Sequence, residues 1–450
     1  VREGALIKSD ARRAKSRSLP IDLVFIAEVS SSSPVTGSMW RRAVLASLGA
    51  LVAFALAALA PSGAGAAPGG AAGTPPPPGG VEQAPGLTDT PFDRQGMWIW
   101  YVSHSEGGSV PAIVARARRS GIGTVYVKEG DGGTVWGQFN RPLVEALHAA
   151  GIDVCAWQFV YGDSPVAEAK VGATAASRGA DCLVIDAESD YEGKYASAQR
   201  YLGALRARVG ESFPLSLAGF PYVDYHPAFP YSVFFGPGGA TVNQPQMYWK
   251  AIGTSVQAVY AHTYLFNRLW GHPIYPVGQT YEGPGNGPLR LFRRFAASYG
   301  GLPPSWWDWQ ETSGSEWGAL GARSASRPLT GYRPNLSHPL LKRGSKGDLV
   351  VWAQQHLVAA GESIPVTGVY GRQTMAAVRQ FQEAQGLPVD GAIGTATWSV
   401  LLNYPVEPVN WAGAARGRAS ASRASLLRRP LSASLPAKRD EIGPGVGIPR

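Results

Sequence analysis

Between Gly96 and Glu311 the apolar pattern alternates repeatedly between a two-residue period and a 3.6-residue period, which leaves very few folds open to this chain. The strand-like runs are 96–103, 123–129, 152–160, 181–188, 214–220, 241–249, 273–281 and 304–310. Amphipathic helical stretches lie between them, such as 110–120, 195–209 and 254–270. Gly121, Gly151, Gly210 and Gly300 sit where helix C-caps are expected. Eight strands alternating with helices over this span predict an α/β fold, a (β/α)8 TIM-type barrel. A doubly wound open sheet is the competing arrangement, but no glycine-rich phosphate loop follows any strand.

Composition narrows the chemistry. Of 450 residues, 45% are hydrophobic, which is ordinary for a folded protein. The net charge of +9 sits in the flanks: 1–66 carries 8 basic and 4 acidic side chains and 405–450 carries 8 and 3, leaving 67–404 balanced. A nucleic-acid-binding fold is therefore not expected. The seven histidines, at 104, 148, 226, 262, 272, 338 and 356, show no metal-ligand spacing, so neither a metal nor an organic cofactor is expected. The two cysteines, Cys155 and Cys182, fall on strands that would be barrel neighbours; a disulfide and two buried free thiols both remain open.

Met39-Trp40-Arg41-Arg42, the uncharged run 43–60 and Ala64-Gly65-Ala66 have the three parts of a secretory signal, so 39–66 is expected to be removed on export. The polar segment 1–38 lies ahead of that signal and is read as an upstream mis-start, with translation beginning at Met39. Residues 67–95 open with a Pro/Gly-rich run and form an extended spacer. No later run is apolar for long enough to insert stably in a membrane.

In a (β/α)8 barrel the working residues sit where strands end. The fourth strand ends Asp186-Ala187-Glu188, and residues two apart on a strand face the same way. Asp186 and Glu188 should both face the barrel mouth with Cα atoms about 7 Å apart, a spacing that suits paired-carboxylate glycoside hydrolysis. Crowding and burial would raise one pKa, as a general acid requires. Other strand ends offer Lys128, Gln158, Gln246, Tyr248, Tyr281, Asp308 and Gln310, with Trp100 on the first strand. Aromatic rings beside amides and carboxylates suit sugars, and these are the expected substrate-binding residues.

On Asp186-x-Glu188, Gln246-Met247-Tyr248 and Trp307-Asp308-Trp309-Gln310, the span 96–312 resembles the family 25 lysozyme-type glycoside hydrolases. The resemblance implies that Glu188 is the general acid and that Asp186 stabilises developing positive charge or orients an acetamido group. The first strand, Gly96-Met97-Trp98-Ile99-Trp100, departs from the Gly-x-Asp such enzymes usually carry there. That departure leaves open a barrel that binds glycan without cutting it. The chitinase-type D-G-x-D-x-D-x-E motif is matched at 181–188 only by Asp181, Asp186 and Glu188, without its middle Asp.

Residues 337–404 predict three helices, at about 347–360, 372–385 and 393–402. Their core is expected from Leu349, Val350, Ala353, Leu357, Ala376, Val378, Phe381, Trp398 and Leu401. The segment resembles the peptidoglycan-binding domain type 1, through Leu341, Gly344-Ser345-x-Gly347, Gln354, Gly368-x-x-Gly371-x-x-Thr374, Phe381-Gln382, Asp390-Gly391 and Thr397-Trp398. Residues 313–336 are read as a linker and the basic tail 405–450 as disordered. Together these features predict a secreted, wall-associated peptidoglycan hydrolase of lysozyme type, with a non-catalytic glycan binder as the alternative.

Overall fold

The computed structural model describes residues 90–322 and 327–413. The expected signal 39–66, the segment 1–38 and most of the spacer and tail lie outside the described residues. Nine strands form one sheet: β1 (Gly96–Ile99), β2 (Thr124–Asp131), β3 (Thr134–Val135), β4 (Asp153–Val160), β5 (Cys182–Ala187), β6 (Leu215–Ala218), β7 (Val242–Asn243), β8 (Val277–Gln279) and β9 (Ser305–Trp307). The order is β7-β6-β5-β4-β2-β1-β9-β8, parallel throughout, with β3 a short antiparallel arm on β2. The sheet curls into a barrel-like ring; between β7 and β8 it is joined only by the isolated parallel bridges Asn243–Ile274 and Gln246–Val277. The run 241–249, expected as one strand, yields two residues of β7 and then turns helical at Trp249–Ile252.

Each barrel strand is followed by helix on the outside. The longer ones are α1 (Val110–Arg119), α2 (Arg141–His148), α3 (Pro165–Ser177), α4 (Tyr195–Val209), then, after the single turns α5 (Tyr231–Phe234) and α6 (Trp249–Ile252), α7 (Val256–Asn267) and α8 (Asn286–Ser298). Helix α4 ends at Gly210, whose φ of 84° an L side chain would resist.

Strand alternation sorts the core into two layers. Val125, Val127, Leu183, Ile185 and Ala187 belong to the apolar layer under the helices. Inside the ring, Trp98 stacks on Tyr126 at 4.9 Å and meets Trp157 and Trp307 at 5.9 and 5.7 Å. The Trp98 indole N–H donates to Ser305 Oγ, so this buried ring is satisfied as core. Cys155 on β4 and Cys182 on β5 are directly paired in register and joined in a disulfide, which settles the alternative left open by sequence.

The expected linker 313–336 is partly structured. Residues Gly314–Leu320 form α9, capped by Ser313 and Glu316 in a reciprocal capping box, with Trp317 buried against Trp309 at 4.8 Å. The three C-terminal helices are α10 (Asp348–Ala359), α11 (Arg372–Ala384) and α12 (Thr395–Leu401). Val350, Ala353, Leu357, Val378, Phe381, Trp398 and Leu401 are buried as expected, and Leu349 partly so. Ala376 is exposed instead: the buried face of α11 runs through Thr374, Ala377, Val378 and Phe381, and Ala376 falls outside it.

The helical module packs directly on the barrel. The Asp348 carboxylate accepts from Ser232 N–H at 2.7 Å and Ser232 Oγ at 2.5 Å, and Asp348 N–H donates to Pro227 O. The Trp352 indole donates to Leu269 O, with its ring 5.2 Å from Trp270. No helix among the described residues is long and apolar enough to cross a membrane.

Candidate active site at the barrel mouth

Along β5, Leu183, Ile185 and Ala187 face the helices, so Cys182, Val184 and Asp186 face the interior. Glu188 keeps extended backbone angles, φ −129° and ψ −151°, and so continues on the side of Asp186. The two residues are only 4% and 5% exposed. The Gln246 side chain, from the segment after β7, donates through Nε2 to Asp186 Oδ1 at 3.1 Å and to Glu188 Oε1 at 3.0 Å. One amide nitrogen thus holds both carboxyl groups together. Burial pushes both pKa values up; the neighbouring Glu188 adds to this at Asp186, and Asp190 adds at Glu188. Gln246 and, for Asp186, the Lys128 ammonium act in the opposite direction. Burial and crowding thus shift both carboxyl groups toward their protonated forms, as a general acid requires.

Lys128 ends the inward face of β2 and is 2% exposed. Its ammonium pairs with Asp131 at 2.7 Å and lies 5.0, 4.6 and 4.7 Å from the ring centres of Trp100, Trp136 and Trp157. Tyr161 donates its hydroxyl to the other oxygen of Asp131 at 2.8 Å. Gln138 fixes this wall by donating to the carbonyls of Trp100 and Lys128.

On the opposite approach, Asp308 follows β9 and is 3% exposed. Burial, helped by Glu311, pushes its pKa up to about 7, although it accepts the Glu311 N–H at 3.2 Å. Tyr248 and Tyr281 meet edge to face at 5.4 Å, and burial raises both phenols. The charges of Asp186, Glu188 and Asp308 all act on Tyr248.

The structure therefore brings Asp186, Glu188, Lys128, Gln246, Tyr248, Tyr281, Asp308 and Trp100 into one connected cluster at the C-terminal ends of the strands. Two expected residues do other work. Gln158 is fully buried and points outward, donating to the carbonyls of Gly132 and Glu168 and accepting from Tyr201. Its neighbour Trp157 takes the inward position, so strand alternation excludes Gln158 from the mouth. Gln310 accepts the Trp100 N–H at 3.3 Å and ties the first and last strands together. Sequence reasoning did not single out Trp136, Gln138 or Trp157; counting the two-residue period from Cys155 finds Trp157, whereas the other two arrive on a loop. Among the described residues no group of three or more His, Cys, Asp or Glu is arranged to hold a metal.

The family model described as "Putative peptidoglycan binding domain" matches residues 346–401. An "Uncharacterized protein in bpoA1 3'region" of Kitasatospora aureofaciens is 38% identical over 92 residues, 20% of this chain and 74% of that protein. N-acetylmuramoyl-L-alanine amidase CwlL of Bacillus licheniformis is 34% identical over 87 residues, 18% of this chain and only 24% of the amidase. Among solved structures, the endo-beta-1,4-mannanase from Thermotoga petrophila aligns with 49% of this chain and 68% of its own, at 10% identity and a TM-score of 0.38.

Proposed function

From the match of residues 346–401 to the peptidoglycan-binding domain family, we propose that the barrel acts on peptidoglycan as a glycoside hydrolase. The observation that carries this reading is the Asp186–Glu188 pair, buried at the barrel mouth and bridged by Gln246. In this reading Glu188 in its protonated form donates its proton to the glycosidic oxygen as the bond to the anomeric carbon breaks, and water then adds to that carbon and returns a proton to the Glu188 carboxylate. Asp186, which Lys128 and Gln246 pull toward its ionised form against the effect of burial, stabilises the positive charge that develops on the sugar ring or orients its acetamido group. Trp100, Tyr248 and Tyr281 offer apolar faces to the sugar, and Asp308 a carboxyl that binds hydroxyls. A lysozyme-type specificity, export through 39–66 and retention on the wall by the C-terminal module belong to the same proposal.

One observation favours a second reading. β1 brings Trp98 and Trp100 to the interior where a further carboxylate would serve hydrolysis, as in a barrel that only binds glycan. The test is to incubate the full chain with peptidoglycan sacculi, beside Glu188→Gln, and to identify soluble fragments by mass spectrometry. New reducing-end sugars from the parent alone support hydrolysis, and the variant should lose at least about 100-fold in rate. Sacculi that bind both proteins and release nothing would leave the binding reading.

A further inference from the structure

The loop after β6, residues 219–230, is tied to three parts of the molecule at once. On one side it joins the loop that carries Glu188: His226 Nδ1 lies 2.8 Å from Glu192 Oε1, and Gly193 N–H donates to Ala228 O. On another it borders the segment that follows Gln246, where Thr254 acts on the Tyr222 hydroxyl. On the third it meets the wall-binding module, where Pro227 O accepts the Asp348 N–H. This loop therefore lies between the mouth and the module.

It also carries an open aromatic corner. Tyr222 stacks on His262 of α7 at 3.9 Å and 24°, and Tyr225 stands against Tyr222 at 5.4 Å and 85°. Tyr225 is 51% exposed, although a ring of that size is usually more covered. Asp224 Oδ1 holds His262 Nε2 at 2.6 Å, so a carboxylate and an imidazole border the rings. A flat exposed ring edged by fixed acceptors and donors matches a pyranose, which offers an apolar C–H face and a rim of hydroxyls.

We infer that Tyr225, Tyr222, Asp224 and His262 form a secondary subsite for an extended glycan strand, between the barrel mouth and the C-terminal module. The inference rests on the mouth being a glycan site. It adds that the strand continues across this loop, so that affinity depends on glycan length. A short oligosaccharide fills the mouth alone, whereas a long strand also covers the corner.

The full chain carrying Glu188→Gln, which binds without turning over, is titrated with soluble peptidoglycan glycan strands fractionated by length. Adding Tyr225→Ala should weaken long-strand binding roughly tenfold, leave tetrasaccharide binding within about twofold, and be rescued by Tyr225→Trp. His262→Ala should act in the same direction, and thermal melts report whether each variant is folded. Equal losses at both lengths, or no loss at either in folded variants, overturn the subsite. Failure of the parent to release sugars from sacculi would sink the hydrolase reading instead, while a length-dependent loss of binding would still support the corner.

Discussion

Gln246 gives both hydrogens of one amide to carboxyl oxygens, so it favours the ionised form of Asp186 and of Glu188. Replacing it with Leu should move the whole pH–rate profile on sacculi upward by about one unit, since a hydrogen bond to a carboxylate is worth that much. An unchanged profile would mean that the bridge does not set the protonation of the pair. Asp308 supplies a test in stability. Its carboxyl holds its proton to about pH 7 when folded but releases it near the ordinary value of 3.8 when unfolded. Below pH 4 both states are protonated and nothing is lost. From there to pH 7 the unfolded state loses a proton the folded state keeps, so stability falls as pH rises, and it levels off above 7. Asp308→Asn should therefore gain stability relative to the parent at pH 8 but not at pH 4, by at most about 4 kcal/mol, read by urea unfolding. The pair itself was legible, because Asp-x-Glu on an apolar strand fixes its own parity. The misplacement of Gln158 came from treating every polar residue at a strand end as inward-facing, when Trp157 already held that side.

At the scale of elements, α9 shows a signal that composition concealed. The stretch 313–336 is rich in Ser and Gly, yet it contains Ser313-x-x-Glu316, a capping box ahead of Trp317 and Leu320. Ser313→Ala should cost about 1 kcal/mol in urea unfolding, a loss that an unstructured linker would not register. The β4–β5 pairing carries a second test. A disulfide separated by 27 residues removes conformational freedom from the unfolded chain worth about 3 kcal/mol. Denaturation with and without reductant should differ by that order, and coincident curves would argue against the bridge. Sequence placed the two cysteines on neighbouring strands but not opposite each other, because register depends on how far β4 slides along β5.

At the scale of the whole molecule, the barrel and the helical module are packed together through Asp348, Trp352 and their partners on the barrel. Asp348→Ala would leave the Ser232 N–H and hydroxyl buried without their acceptor, at a cost of about 2 kcal/mol. It should also speed proteolysis between residues 327 and 340, as the module comes away more often; an unchanged cleavage rate would show that the other contacts hold the module alone. By itself, the sequence determined the alternation that builds the curled sheet, the inward parity of Asp186 and Glu188, and the three helices with their glycine-marked ends. These follow from the local periods of strand and helix, which any short window displays. Only the tertiary structure decided the rest. It brought Gln246 from 58 residues away to bridge the carboxyl groups, enclosed Lys128 in rings from three separate segments, turned Gln158 outward and seated the module on Pro227 and Ser232. Those arrangements depend on ring curvature and on close packing between distant elements, and no local period encodes either.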